Sequence, residues 1–270
     1  MTQAPIGTPP APAPQRQPNI VRYQIALVIL AVTVGVLAVA LLMNGSTPGP
    51  ATATPSASAP PAGNEAAPGS DPTPPPVDEA EQQAFLLGLP RREDGDPLAK
   101  GAVDAPVVMT EWADYRCPYC SVWAEETLPK LQPLIDDGTL RIEFRDLTLF
   151  GEDSVRAAVA ARAAGEQGRY WEFQAALFAA LPNQGQPDVG EDLLIDIATQ
   201  IGVPDLEAFK TDLRSEELQK QVMADTQEGQ GLGITSTPTF LIGTEGLSGA
   251  QPLEVFEKII AAQKEAAATR

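Results

Sequence analysis

The two cysteines of the chain, Cys117 and Cys120, are separated only by Pro118 and Tyr119. Proline at position 118 suits the first turn of a helix, so both thiols are expected at a helix start. Cβ atoms three positions apart lie there about 5–6 Å from each other, which is near disulfide geometry. Unpaired N–H groups and the helix dipole lower a thiol pKa at this position, which makes the first cysteine a good nucleophile and a good leaving group.

Two interpretations of this pair are open: a redox-active disulfide, and a disulfide that only stabilises the fold. In the chain-entropy model, a ring this small contributes only about 2 kcal/mol. A stabilising crosslink would be more effective between distant segments. The position at a helix start therefore favours the redox interpretation.

The rest of the composition offers no other reactive constellation. The chain contains no histidine, which excludes Ser-His-Asp and Cys-His catalysis in their usual forms. Two thiols cannot complete a four-ligand zinc site, and no calcium-loop, phosphate-loop or nucleophile-elbow motif occurs. We therefore predict no metal site, and no cofactor beyond the redox-active disulfide Cys117–Cys120 itself.

A strand–helix–strand unit must position the cysteines. The β-branched run before them predicts a buried strand at about Val107–Trp112. After them, apolar residues recur at near-helical spacing, while Pro129 and Pro133 imply a kinked or broken second half of the helix. Residues 140–145 alternate apolar and charged side chains, the period-two pattern of a strand. The cysteines thus lie at the strand-to-helix turn of a βαβ unit.

A long helical region, at about Ser154–Gln230, follows this unit, and apolar residues mark amphipathic helices within it. The region's core is predicted to contain the aromatic residues Tyr170, Trp171, Phe173 and Phe178. Strand character returns at Thr239–Ile242, and a last amphipathic helix begins near Leu253. The predicted fold is α/β, a sheet interrupted by a helical subdomain.

The N-terminal part of the chain predicts a membrane anchor. Ile25–Met43 contains no charged residue, and nineteen helical residues span about 28 Å, close to the hydrocarbon thickness of a bilayer. We therefore predict a transmembrane helix at residues 23–43. A cleaved signal peptide is the alternative, although its apolar region is typically shorter, about 7–15 residues.

Charge sets the orientation of this anchor. Arg16 and Arg22 precede the apolar run, and no other charge occurs before Glu65. Residues 1–22 are therefore expected in the cytoplasm and the rest of the chain outside, where a disulfide can persist. The chain has a net charge of −18, to which these two arginines contribute +2, so the remainder carries −20. A charge of this sign excludes nucleic-acid binding.

A linker joins the anchor to the folded domain. Residues 44–80 are rich in Pro, Ala, Ser and Thr and poor in large apolar side chains, a composition typical of a disordered tether. The folded part is expected at residues 81–270, which is one domain by size.

Two segments of this domain together resemble a known family. DAPVVMTEWADYRCPYC (residues 104–120) is similar to a strand-plus-active-site signature, and GITSTPTFLIG (residues 233–243) to a Thr–cis-Pro segment. Both are typical of the membrane-anchored DsbA-like proteins of the thioredoxin superfamily, of the actinobacterial type. The resemblance covers about Pro97–Ala262. It implies a thioredoxin fold with an inserted helical subdomain, the core at about 97–146 and 232–270 and the insertion at about 147–231.

The resemblance also implies roles for single residues. Cys117 would be the exposed nucleophile that forms a mixed disulfide with the substrate, and Cys120 the shielded resolving thiol. Thr237 and Pro238, the latter as the cis-proline, would face the disulfide and align an extended substrate chain.

Three further residues are implicated by the same resemblance. Pro118 and Tyr119 would tune the reduction potential. The best-known oxidases of the group carry histidine between the cysteines, and because Tyr119 supplies no positive charge, a less extreme thiolate and a milder oxidant are expected here. Glu111, six residues before Cys117, matches the acidic residue behind the active site and would shuttle protons for Cys120. Its alternative is an ordinary, partly buried, hydrogen-bonded carboxylate.

These observations support three hypotheses of function. The leading one is an extracytoplasmic, membrane-tethered thiol–disulfide oxidoreductase that oxidises thiols of unfolded or folding exported proteins. The resemblance implies reoxidation by a quinone-linked membrane partner. The second hypothesis is a reductase or isomerase that uses the same cysteines. The third, of another class, is a tethered binding domain with an inert disulfide.

Overall fold

The computed structural model describes residues 78–269. The predicted cytoplasmic tail (residues 1–22), the predicted transmembrane helix (residues 23–43) and most of the predicted linker (residues 44–80) lie outside the described residues. Within residues 78–269, no helix combines the length and the apolar character needed to cross a membrane.

Nine helices and five strands make up the described part of the chain. The strands are β1 (Ala99–Lys100), β2 (Val107–Ala113), β3 (Leu140–Asp146), β4 (Thr239–Ile242) and β5 (Glu245–Ser248). The helices are α1 (Glu79–Leu87), α2 (Pro118–Glu126), α3 (Leu128–Asp136), α4 (Glu152–Gly165), α5 (Tyr170–Ala180), α6 (Glu191–Gln200), α7 (Leu206–Asp212), α8 (Glu216–Gly231) and α9 (Leu253–Ala268). Because α1 begins at Glu79, the last two residues of the predicted linker are helical.

The five strands form one sheet in the order β1-β3-β2-β4-β5, with β2 at its centre. β2 is parallel to β3, where Val107 lies opposite Leu140, and antiparallel to β4, where Trp112 lies opposite Thr239. All seven residues of β2 are buried, as expected for a central strand covered on both faces. The predicted strand–helix–strand unit and the predicted strand at Thr239–Ile242 are confirmed.

The two edge strands were not predicted. β1 has only two residues, and β5 is four residues long and largely exposed. Neither is long enough or buried enough to show a hydrophobic period in the sequence.

The helix that follows the cysteines is broken just before Pro129, as predicted, but Pro133 lies inside α3 and does not end it. α2 ends at Glu126 and α3 begins at Leu128. Pro129, the second residue of α3, has no N–H to donate, so it fits the first turn of a new helix, where that N–H would have no helical partner. The short α2 keeps Cys120 and Trp123 on its buried side.

Helices α4 to α8 occupy the chain between β3 and β4, in agreement with the predicted helical region. Three of the four aromatic residues expected in its core are fully buried, and Trp171 is partly buried; the three are Tyr170, Phe173 and Phe178. Cys117 and Cys120 belong to the same cluster of buried side chains. The cysteine pair therefore lies where the helical subdomain meets the sheet.

The charged residues of β3 face the interior of the protein. Arg141, Glu143 and Arg145 alternate with apolar residues as predicted, yet all three are buried. The two oxygens of Glu143 accept from Arg141 Nε and Arg145 Nη2, each at 2.9 Å. They also accept the main-chain N–H groups of Arg91 and Arg92, each at 2.8 Å. The segment after α1 therefore covers this face of the sheet.

The ion pairs continue into the helical subdomain. Arg162 of α4 donates to Asp146 at 2.7 Å and to Asp225 of α8 at 2.5 Å, and all three side chains are buried. Arg91 donates to the other oxygen of Asp225 at 2.6 Å and to Glu228 at 2.9 Å. Buried charges require partners of this kind. This ion-pair cluster therefore connects α4 and α8 to β3, which lies beside β2 in the sheet.

Candidate active site

A tight turn connects β2 to α2 and carries the first cysteine. The Asp114 carbonyl accepts the N–H of Cys117 at 3.0 Å, and Asp114 Oδ1 accepts the N–H of Arg116 at 2.8 Å, the local pattern that makes Asp a turn former. Asp114 Oδ2 accepts the N–H of Leu149, after β3, at 2.7 Å. Cys117 occupies the N-cap position of α2 with an extended backbone, and Pro118 opens the helix, as predicted.

The two thiols are free and both are largely covered. Cys120 is 0% exposed, in line with the expected shielded position. Cys117 is only 4% exposed, so the expectation of an exposed nucleophile is corrected. The segment before β4 covers it, and its thiol donates to the carbonyl oxygen of Thr237 at 3.2 Å.

The surroundings of Cys117 favour its thiolate. A hydrogen bond from the Cys120 thiol is the largest cause that lowers the pKa of Cys117, from 9.0 to about 6, against the opposing effect of burial. The main-chain N–H groups of Cys120 and Tyr119 lower this pKa further. The helix start thus contributes as predicted, but the second cysteine contributes more. Hydrogen bonds to the charged form are a general cause of such a shift.

Cys120 is shifted in the opposite direction. Burial raises the pKa of its thiol well above 9.0, and the hydrogen bond to Cys117 and the negative charges of Cys117 and Glu111 raise it further. Near neutral pH the reduced pair therefore holds one thiolate, at Cys117, and one neutral thiol. This asymmetry assigns attack to one sulfur, and it disfavours the hypothesis of an inert disulfide.

Glu111 lies in the middle of β2 and is buried. In the part of the chain that the structure describes, neither of its carboxylate oxygens has a hydrogen-bond partner. Burial raises the pKa of this carboxyl group well above 4.5. The alternative interpretation, an ordinary hydrogen-bonded carboxylate, does not describe it. Its negative charge is one of the causes that raise the pKa of the Cys120 thiol; its role as a proton shuttle stays a prediction.

The segment at Thr237 and Pro238 lies beside the cysteines. The peptide bond between these two residues is cis, as the resemblance implied. β4 begins at the next residue, Thr239, which pairs with Trp112 near the end of β2. The sheet therefore brings Thr237 and Pro238 to the start of α2, although they follow the cysteines by more than a hundred residues in the chain. Within residues 78–269 the buried hydroxyl of Thr237 has no hydrogen-bond partner.

Tyr119 projects from the first turn of α2 and is 65% exposed. It stabilises the Cys117 thiolate through its main-chain N–H and not through its ring. The milder oxidant expected in the absence of histidine stays a prediction.

Two residues of the active-site turn, Asp114 and Arg116, were not identified from the sequence. Asp114 is buried, and burial raises the pKa of its carboxyl group against the effect of its N–H donors. An aspartate at a strand end, three residues before the cysteine, was the available signal, because Asp favours turns at such positions. Arg116 carries no comparable signal, since its partners are main-chain groups far away in the sequence.

We expect alkylation of Cys117 to follow a midpoint at about pH 6. Only the thiolate reacts with iodoacetamide, and the pKa of Cys117 is lowered to about 6. The measurement is the alkylation rate of the reduced full-length chain as a function of pH. In Cys120→Ala the midpoint should move upward, because the largest cause of the shift is removed. A wild-type midpoint at about 8.5, the ordinary thiol value, would contradict the expectation.

The stability of Glu111→Gln, compared with that of wild type, is expected to increase as the pH rises. A carboxyl group whose pKa is raised on folding contributes its stability below its unfolded pKa of 4.5 and loses it as the pH rises towards the folded value. Glutamine cannot ionise, so the free energy of unfolding of the variant, relative to wild type, should increase from pH 4.5 upward. Urea unfolding of both proteins across this range measures the difference. A difference that does not change with pH would show that Glu111 ionises normally.

Comparison with known proteins places this site in a family. A protein-family model described as Thioredoxin matches residues 93–262. Disulfide bond formation protein D from Bacillus subtilis is 32% identical over 151 residues, which are 55% of this chain and 68% of that protein. The oxidised crystal structure of BdbD from Bacillus subtilis is similar with a TM-score of 0.59 and 29% identity, and the match covers 63% of this chain and 94% of that one.

The crystal structure of alpha-DsbA1 from Wolbachia pipientis has the same fold, with a TM-score of 0.59 at 24% identity; the match covers 70% of this chain and 98% of that one. The family match covers both the cysteine turn and the segment at Thr237 and Pro238. The chain therefore belongs to the thioredoxin family and is a thiol–disulfide oxidoreductase with a DsbA-like fold.

Proposed function

We propose that this chain introduces disulfides into exported proteins through Cys117 and Cys120. The observation that carries the proposal is the opposite shift of the two thiols: the pKa of Cys117 is lowered to about 6, whereas the pKa of Cys120 is raised. A thiolate that is stabilised in the reduced enzyme favours the reduced form. The corresponding disulfide is then a better oxidant.

In the proposed reaction a substrate thiolate attacks the sulfur of Cys117 in the oxidised pair. The Cys117–Cys120 bond breaks, the sulfur of Cys120 leaves and takes up a proton, and a mixed disulfide joins Cys117 to the substrate. A second substrate thiolate then attacks the substrate sulfur of that bond, and Cys117 leaves as the stabilised thiolate. The substrate gains a disulfide, and the enzyme gains two electrons. The redox-active disulfide serves as the only cofactor in this scheme.

The remaining residues of the site support this reaction. Glu111 exchanges the proton that Cys120 takes up and later loses. Thr237 and Pro238 align an extended substrate chain, since Thr237 already contacts the Cys117 sulfur at 3.2 Å. Pro118 and Tyr119 tune the reduction potential through the first turn of α2, where the Tyr119 N–H stabilises the thiolate.

The proposed setting is the outer side of the cell membrane. The charge-free run at Ile25–Met43 supports a single-pass anchor at residues 23–43, and Arg16 and Arg22 support a cytoplasmic N-terminus. Residues 44–80 then tether the catalytic domain on the outer side. A quinone-linked membrane protein is the proposed oxidant of the reduced Cys117–Cys120 pair.

The reduction potential of the cysteine pair tests the direction of electron flow. The full-length chain is equilibrated with glutathione buffers, and the fluorescence of Trp112 in β2 and Trp123 in α2 reports the fraction oxidised. A potential at about −120 to −180 mV is expected for a disulfide-introducing enzyme. A potential at about −270 mV would instead identify a reductase that uses the same cysteines.

A further inference from the structure

Arg116, the residue directly before Cys117, makes an unusual set of contacts. Its guanidinium donates to the main-chain carbonyl oxygens of Pro187 at 2.7 Å, of Gln186 at 2.8 Å, and of Phe150. In the described part of the chain, no carboxylate lies within ion-pair distance of it. Arg116 therefore makes no direct ion pair, although its charge contributes to lowering the pKa of Asp153. It joins the active-site turn to two other segments of the main chain.

The sheet order determines on which side of the cysteines these segments lie. β2 leads into the cysteine turn, with β4 on one side and β3 on the other. The segment that contains Thr237 precedes β4 and contacts Cys117. Phe150 follows β3, the strand on the opposite side of β2. Arg116 therefore attaches residues 186–187 to the flank of the active site that lies opposite Thr237.

The loop that Arg116 holds joins α5 to α6, and it is fixed at its base and exposed at its tip. Leu181 and Val189 are buried at its two ends. Val189 is held twice: its N–H donates to Asp153 Oδ2 at 3.1 Å, and its carbonyl accepts from Arg156 at 2.6 Å.

Between these ends lie exposed residues with amide side chains: Asn183, Gln184 and Gln186. We name residues 182–187 the amide loop.

The chemistry of the amide loop matches one class of ligand. Each Asn or Gln side chain offers both a donor and an acceptor and carries no charge. The same groups occur on the main chain of every polypeptide. A surface of this kind binds an extended chain through its peptide groups and with little regard for its sequence. An enzyme that acts on many substrates needs this type of recognition.

We propose that Arg116 is a positioning residue for substrate recognition. By holding the carbonyl groups of Gln186 and Pro187, it fixes the amide loop as the wall opposite Thr237. This wall binds the main chain of an extended, cysteine-containing polypeptide. The inference rests on the proposed function, and it predicts that Arg116 matters more for polypeptide thiols than for small thiols.

The test compares two substrates of the oxidised full-length chain: dithiothreitol, and an unstructured peptide of 15 residues with two cysteines. In Arg116→Met, which removes all three hydrogen bonds, the second-order rate constant for the peptide should fall about tenfold further than that for dithiothreitol. Arg116→Lys should recover part of the peptide rate. Arg214→Met, which removes an equal charge from an exposed ion pair with Glu191, is the matched control and should change neither rate.

A second variant tests the wall without touching Arg116. The triple substitution Asn183→Ala, Gln184→Ala and Gln186→Ala leaves the carbonyl groups in place, and it should show the same selective loss with the peptide. If Arg116→Met fails to fold, the triple variant still tests the inference. Equal losses with both substrates, or no loss with the peptide, would overturn the inference. If the oxidised wild-type chain reacts with neither substrate, the proposed function itself fails.

Discussion

Cys117→Ser is expected to abolish disulfide exchange, with a loss of at least about a thousandfold in rate. Cys117 holds the stabilised thiolate, with its pKa lowered to about 6, and is the less buried residue of the pair. Cys120 cannot replace it, because its thiol is fully buried and its pKa is raised well above 9.0. The measurement is the rate at which the full-length chain oxidises a reduced peptide.

Cys120→Ser is the matched variant, and it is expected to stop the reaction at the mixed disulfide. Reduced Cys117 still attacks an added disulfide, such as oxidised glutathione, and forms a mixed disulfide. Without Cys120 no intramolecular thiol releases the bound glutathione, so the adduct accumulates. Mass spectrometry of the intact chain detects one added glutathione. The same adduct on Cys120 in the Cys117→Ser variant would reverse the assigned roles.

The placement of the cysteines could be predicted because local signals agree there. The β-branched residues of β2, the proline after Cys117 and the alternation in β3 each indicate one element, and together they define a strand–helix–strand unit with the thiols at its turn. The break at Thr127 also followed from sequence, since Pro129 has no N–H to continue a helix.

Other features depend on contacts between segments that are far apart in the chain. The alternation of β3 predicts a strand, but it cannot show that Arg141, Glu143 and Arg145 are covered by the segment after α1. The covered position of Cys117 likewise arises from Thr237, which β4 brings close through its pairing with β2. Local patterns report periodicity and turn chemistry. They do not report which segment packs against a given face.

Arg162→Met is expected to destabilise the protein by about 3–5 kcal/mol at neutral pH. Arg162 is the shared donor to Asp146 and Asp225, at 2.7 and 2.5 Å, and all three side chains are buried. Methionine keeps much of the side-chain volume but leaves Asp146 without an ion-pair partner and Asp225 with Arg91 alone. Urea unfolding of the full-length chain, followed by tryptophan fluorescence, measures the loss.

The control is Arg214→Met, which removes an ion pair with Glu191 in which both side chains are exposed. Exposed pairs of this kind contribute about 0–1 kcal/mol, so a loss equal to that of Arg162→Met would mean that burial of the cluster is not the cause.

The pH dependence gives a second, independent check on the ion-pair cluster. Burial raises the pKa of Asp146 from 3.8 to about 6, against the lowering effect of Arg162. A carboxyl group with a raised pKa contributes stability at low pH and loses it as the pH rises through the folded value. Without Arg162 this pKa rises further, so the penalty in Arg162→Met should be smaller at pH 5 than at pH 8. A penalty that is the same at both pH values would mean that the variant loses packing and not charge compensation, and that the helical subdomain is held to the sheet by its apolar contacts alone.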